Sequence, residues 1–93
     1  MAHFVVHYSY GPADQQAAHR GEHREYLGTL LEQGHLLASG PYTDDGADGA
    51  LLIFSAETAD DVESLLAKDP MVVHGVVTAH EVRAWNPVLG SVG

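Results

Sequence analysis

The chain has 93 residues, with 13 acidic side chains, four basic ones and a formal net charge of −9, and its length predicts one domain, residues 1–93. This charge repels nucleic-acid phosphates and anionic lipid surfaces, so we expect neither nucleic acid nor a membrane as a partner. The sequence has no cysteine, which excludes disulfides and cysteine nucleophiles, and its N-terminus has no basic signal region, so we expect a cytoplasmic protein.

The first half of the chain predicts a strand, a long helix and a second strand. Residues 3–10 are rich in β-branched and aromatic side chains, which favour a strand. Apolar residues at helical spacing predict a helix over 13–33, with Asp14 as its N-cap and Gly34 as the glycine that ends it. Residues 35–42 then form the second predicted strand.

The second half predicts a turn-rich loop, a strand, a helix, a fourth strand and a surface tail. Ser55 or Thr58 is expected to cap the helix. Asp69 is expected to end it, because a residue before proline avoids helical geometry. In chain order, these segments are 43–49, 50–56, 57–68, 75–85 and 87–93.

The order β-α-β-β-α-β predicts an α+β fold of the ferredoxin-like type with a four-stranded antiparallel sheet. Two helices can cover only one face of such a sheet. Phe4, Val6 and Tyr8 would lie on one face of the first strand, and Val5 and His7 on the other. A second copy of the chain would cover the other face, so we expect a homodimer.

His23 and Arg20 are the first candidate functional residues. His23 borders the apolar stripe of the first helix, and Arg20 lies about one turn earlier on the same side. A histidine in this position suits general acid–base catalysis, because its side chain titrates near neutral pH. The alternative is a surface histidine beside a solvated arginine, which the spacing alone favours.

Asp69 and the segment Ser39, Gly40 and Pro41 are the next candidates. A carboxylate such as Asp69 can orient a histidine and stabilise its charged form, although Asp-Pro is also a common turn signal. Ser39 could hydrogen-bond a ligand at a Gly-Pro corner, where Gly40 permits an unusual backbone conformation. Such a segment can also be a simple bend or bulge in a strand.

The histidines do not predict a metal site. His3 and His7 would be separated by ~13 Å along a strand. His19 and His23 have the i, i+4 spacing of zinc ligands, but they lack the HExxH glutamate and flank Arg20. We therefore expect no metal and, without a glycine-rich phosphate loop, no organic cofactor.

Three segments together resemble the YCII-related (YciI-like) family: "RGEH" at 20–23, "GHLLASGP" at 34–41 and "DPMVVHGVV" at 69–77. The resemblance extends over about residues 4–85. It implies a ferredoxin-like fold of the dimeric α+β barrel type and an active site centred on a histidine and an aspartate. Two departures are Gly21, where the family often has proline, and Met71, where it often has an aromatic residue.

The resemblance implies that His23 and Asp69 are the catalytic pair. Arg20 matches an arginine that often precedes the histidine, and the segment 39–41 matches a small-residue and Gly-Pro motif. We add His7 as a further candidate, and the sequence leaves open whether His7 or His74 joins the site. The predicted substrate-binding residues are Arg20, Ser39, Gly40, Pro41 and His7.

The sequence thus predicts an enzyme of the lyase or isomerase type acting on a small, aromatic or quinone-like molecule. His23 would move a proton, Asp69 would fix its tautomer, and Arg20 and Ser39 would position the substrate. Two alternatives stay open. The domain could be a non-catalytic metabolite-binding or dimerising accessory module, or a purely structural dimer in which His23 and Asp69 lie far apart.

Overall fold

The computed structural model describes residues 1–92. Its four strands form one sheet in the order β2-β3-β1-β4, and each pair of neighbours is antiparallel. This arrangement confirms the predicted ferredoxin-like α+β fold. The elements are β1 (Ala2–Tyr10), α1 (Ala13–Glu32), β2 (Leu36–Pro41), β3 (Gly49–Ala56), α2 (Ala59–Leu66), α3 (Pro70–Val73) and β4 (Val77–Trp85).

One face of the sheet forms the hydrophobic core beneath the helices. Along β1, Phe4, Val6 and Tyr8 are buried, whereas Val5 is only partly buried and His7 is exposed. Successive side chains of a strand point to opposite faces, which explains this alternation. The predicted division of β1 into a buried face and an open face is confirmed.

The first helix begins at Ala13, one residue before Asp14, its expected N-cap. Pro12 precedes the helix, and its carbonyl accepts hydrogen bonds from the amides of Gln15 and Gln16, at 3.1 Å each. Asp14 therefore lies inside the first turn, where its charge complements the helix dipole, and its prediction as the N-cap is wrong. Gly34 adopts a φ of 82° directly after the C-cap, as predicted.

The second helix and a short third helix meet at the Asp-Pro pair. Thr58 caps α2 by accepting from the amide of Asp61 at 3.2 Å, whereas Ser55 lies within β3. The sequence did not predict α3, which begins at Pro70 with Asp69 as its N-cap. Proline is well suited to the first helical position because that position needs no amide hydrogen bond.

The segment Ser39, Gly40 and Pro41 is not a corner. It lies in β2, where Gly40 pairs with Leu51 and Pro41 with Ala50. The φ of Gly40 is not positive, so the expected special conformation is wrong. Proline is tolerated here because β2 is an edge strand, and an edge strand leaves some of its amides unpaired in any case.

The C-terminal end carries exposed apolar side chains. Residues 86–92 form neither a helix nor a strand, and Val88 and Leu89 are largely exposed. The predicted surface tail covers 87–93, of which Gly93 lies outside the described residues. Within residues 1–92, no helix is both long enough and apolar enough to cross a membrane.

Candidate active site

His23 and Asp69 are in direct contact although 46 residues separate them in the sequence. α1 carries His23, and the N-cap position of α3 carries Asp69. The Nδ1 atom of His23 lies 2.8 Å and 2.9 Å from the two carboxylate oxygens of Asp69. An ionised carboxylate can only accept a hydrogen bond, so Nδ1 carries the proton and Nε2 is the nitrogen available for other contacts.

Asp69 is held by three donors in the protein interior. It is fully buried, and besides His23 it accepts from the hydroxyl of Tyr8 at 2.9 Å and from the amide of Met71 at 3.0 Å. A buried carboxylate needs such partners because it has lost its contacts with water. The three bonds fix the orientation of the carboxylate against the imidazole of His23.

Two tyrosines near Asp69 keep their protons well above neutral pH. Burial raises the pKa of Tyr8 far above its ordinary value of 10.0, and both the charge of Asp69 and its hydrogen bond raise it further. Burial and Asp69 also raise the pKa of Tyr10 to about 12, although Arg20 and Arg24 lower it in part. Tyr8 therefore serves as a hydrogen-bond donor to Asp69.

A cavity of about 800 Å³ lies between α1 and the β2–β3 hairpin. His23 lines this cavity, whereas Asp69 lies behind it, out of the lining. Leucine side chains and Met71 form much of the remaining wall. The polar side chains of the lining belong to Tyr10, Gln16, Arg20, His23, Arg24, Ser39, Tyr42 and Asp48.

Most of the predicted site residues line this cavity. Arg20 and the segment Ser39, Gly40 and Pro41 share it with His23. His7 is outside the lining: it lies on the open face of the sheet, and its Nδ1 atom is 2.5 Å from the Tyr42 hydroxyl. His74 is also outside the lining, and its ring stacks on that of His19, which lies on α1.

Arg24 is a lining residue that the sequence analysis missed. It follows Arg20 by one helical turn, and both guanidinium groups contribute to the electrostatic environment of Tyr10. Within residues 1–92, neither arginine has a carboxylate oxygen within 4.0 Å. The sequence did hold a signal for Arg24. It follows Arg20 at i, i+4 spacing, on the side of the helix that carries His23.

Gln16 and Asp48 close one end of the cavity and were also missed. Gln16 is buried, and its side-chain amide donates to the Asp48 carboxylate at 3.0 Å and to the Gly11 carbonyl at 2.8 Å. These bonds join the start of α1 to the loop before β3. They depend on a contact between distant segments, for which the sequence holds no local pattern.

The comparisons with known proteins agree on the fold. The family model of the YCII-related domain matches residues 1–86. The solved structure of 5-chloro-2-hydroxyhydroquinone dehydrochlorinase (TftG) from Burkholderia phenoliruptrix AC1100, in complex with 2,5-dihydroxybenzoquinone, is 25% identical. Its TM-score is 0.77, and the match covers 90% of this chain and 93% of that chain.

Two more distant structures share the fold alone. An antibiotic biosynthesis monooxygenase is 12% identical with a TM-score of 0.58, and the match covers 96% of this chain and 100% of that chain. Protein Atu4242 from Agrobacterium tumefaciens is 15% identical with a TM-score of 0.55, over 95% and 94% of the two chains. No curated protein sequence matches the chain significantly.

Proposed function

The chain belongs to the YCII-related family, and on this premise we propose that it is a small-molecule enzyme of the lyase or isomerase type. In this proposal, His23 and Asp69 are a catalytic dyad. The observation that carries it is the 2.8 Å hydrogen bond between His23, which lines a cavity, and the fully buried Asp69 behind it. The similarity to a dehydrochlorinase supports the same reaction class.

The proposed mechanism is proton transfer by the Nε2 atom of His23. Asp69 accepts from the Nδ1–H group, so it holds the tautomer in which Nε2 has a free lone pair. When Nε2 takes a proton from the substrate, the carboxylate stabilises the resulting imidazolium. In an isomerisation, the proton returns to another substrate atom. In an elimination, the electron pair left by the abstracted proton forms a new double bond, the leaving group departs as an anion with its own bonding pair, and the proton on His23 balances that charge.

The proposed substrate is a small anionic ring compound, such as a hydroxylated quinone. Arg20 and Arg24 are two of only four basic residues in a chain with a net charge of −9. Both line the cavity, and neither has a carboxylate partner among residues 1–92. Two adjacent guanidinium groups favour an oxyanion, and the leucine-rich wall suits a ring. The similar dehydrochlorinase was solved with 2,5-dihydroxybenzoquinone. Ser39 is proposed to hydrogen-bond the substrate.

The experiment that tests this function measures turnover of a panel of hydroxylated and chlorinated quinones and hydroquinones by absorbance. We expect His23→Gln to lower kcat by about 10²- to 10⁴-fold, the usual contribution of a general base. The matched control is His80→Gln, because His80 also contacts a carboxylate but lies on the surface. A His23→Gln variant with full activity on a substrate of the wild type would contradict the proposal.

Binding without turnover would favour the second candidate, a metabolite-binding module. The twin arginines would then still select an anionic ligand. Titration of the protein with 2,5-dihydroxybenzoquinone and with its neutral dimethoxy analogue tests anion selectivity separately from turnover. If the wild type binds the anionic compound more tightly and Arg24→Gln loses this preference, the result supports the arginine site, whatever the outcome of the turnover assay. Equal affinity for both compounds argues against an anionic substrate.

We also propose that the protein is a homodimer whose subunits meet through the open face of the sheet. Val5, Leu51 and Ile53 on this face are only partly buried, and Trp85 is 38% exposed. Analytical ultracentrifugation of the wild type and of Val5→Asp tests this, with a shift from dimer to monomer expected. His7 lies on the same face, and its role at the substrate stays a prediction, as does the cytoplasmic location.

A further inference from the structure

A second histidine cluster lies outside the cavity and has no part in the proposed reaction. His19 and Glu22 are three residues apart on α1, and His74 is the C-cap residue of α3. One possible ligand atom of each residue lies within 4.8 Å of those of the other two. The rings of His19 and His74 are stacked, with centroids 4.1 Å apart and planes inclined by 13°.

Among residues 1–92, the Nδ1 atom of His19 has no hydrogen-bond partner. This atom is shielded from solvent, and leaving a buried polar atom unpaired is unfavourable. Its nearest carboxylate oxygen is Oε1 of Glu22 at 3.7 Å, which is too long for a hydrogen bond. Two ligands of one tetrahedral zinc ion are roughly 3.4 Å apart, given bond lengths of about 2.0–2.1 Å, so this separation is close to that of a shared ion.

We propose that His19, Glu22 and His74 bind a divalent transition-metal ion, with Zn²⁺ the best match. Two imidazole nitrogens and one carboxylate oxygen are a common zinc ligand set, and water completes it. Glu22 and His74 are exposed, so their side chains can rotate and the ring stack can open to bring both nitrogens to one ion. This set differs from the His19–His23 pair weighed in the sequence, because His23 binds Asp69.

The proposed site would join the two elements that carry the candidate dyad. His19 precedes His23 by four residues on α1, and His74 follows Asp69 by five residues at the far end of α3. None of the three ligands lines the cavity. The bound ion is therefore a clamp between α1 and α3 that does not contact the substrate.

Isothermal titration of the full chain with Zn²⁺, in a buffer that does not chelate metals, tests this proposal. We expect one tight ion per chain, and an affinity about tenfold or more lower in Glu22→Gln and in His74→Asn, since even outer-shell changes have effects of this size. Zn²⁺ should also raise the Tm of the wild type more than that of either variant. Tetrahedral Co²⁺ absorption gives a second signal from the same site.

The matched control is His80→Asn. His80 lies 2.6 Å from Glu63 on the surface, and this pair belongs to no group of three possible ligands among residues 1–92. The His80→Asn variant should bind Zn²⁺ as the wild type does.

Glu22 is well exposed, so Glu22→Gln is expected to fold normally, which circular dichroism verifies. Unchanged binding in Glu22→Gln and His74→Asn, or no saturable binding by the wild type, would overturn the proposal. No substrate is needed, so this outcome is independent of the proposed reaction.

Discussion

Two histidine–carboxylate pairs in this molecule have nearly the same length and very different surroundings. His23 lies 2.8 Å from Asp69, and His80 lies 2.6 Å from Glu63. The side chains of the first pair are 9% and 0% exposed, whereas those of the second are 34% and 49% exposed. Distance alone therefore does not distinguish a candidate catalytic pair from a surface contact.

The two carboxylates differ in whether water can replace their histidine partner. Glu63 lies on the exposed side of α2, where water and salt compete with His80 for its oxygens. Asp69 has no access to water and receives three protein donors, from Tyr8, His23 and Met71. A change at the buried carboxylate leaves other polar groups unpaired, whereas a change at the exposed one leaves them hydrated.

The largest effect is expected from removing the buried carboxylate. Asp69→Ala should lower the free energy of unfolding by about 3–5 kcal/mol, because it leaves Tyr8 and His23 without their acceptor and removes the cap of α3. Urea denaturation followed by circular dichroism measures this difference. A loss close to that of a surface substitution would show that the three bonds contribute little to stability.

Alkaline pH should also weaken the buried site. Tyrosines in the unfolded chain lose their protons near pH 10.0, whereas Tyr8 retains its proton to much higher pH, and the pKa of Tyr10 is about 12. Their stabilising contribution is therefore full below pH 10.0 and is lost as the pH rises through the folded-state pKa. The free energy of unfolding should fall by up to about 1.4 kcal/mol per pH unit for each tyrosine.

Urea denaturation at a series of pH values above 10.0 measures this slope. Tyr8→Phe and Tyr10→Phe should each make it shallower, because each removes one group that loses its proton in the unfolded chain but keeps it in the folded protein. Glu63→Gln serves as the control and should leave the slope unchanged. Equal slopes in the wild type and in both tyrosine variants would contradict the assignment.

At neutral pH, Tyr8→Phe isolates one of the three bonds to Asp69. It should cost about 1–2 kcal/mol, since it removes a buried hydrogen bond to a charged acceptor and keeps the ring in the core. If Tyr8 positions the proposed dyad, the variant should also change the pH profile of kcat. A normal profile with reduced stability would limit Tyr8 to a structural role.

The fold was predictable from local patterns, because burial and chain stops act over short distances. Alternation in β1, the glycine at 34 and the Thr58 cap each depend on a few neighbouring residues. The misassigned cap at Asp14 and the missed α3 follow from proline, which can start a helix as well as stop one.

The pairing of His23 with Asp69 was predictable from the family motif. Helix position and the Asp-Pro turn had made the two residues candidates, the resemblance implied that they form a pair, and their contact agrees with that expectation. Tyr8, Gln16 and Asp48 reach the site through packing between distant segments, which no local spacing encodes. His7 was included by residue type alone, and strand alternation turns it away from the side of β1 that carries Tyr8.

The smallest effect is expected at the exposed pair of Glu63 and His80. Glu63→Gln should change the free energy of unfolding by about 0.5 kcal/mol or less, because solvent replaces the lost contact with His80. A double-mutant cycle of Glu63→Gln and His80→Asn measures their coupling, and a parallel cycle of Asp69→Asn and His23→Gln measures that of the buried pair. We expect the coupling of the buried pair to be several times larger. Equal couplings would mean that the length of the bond, rather than its burial, sets its energy.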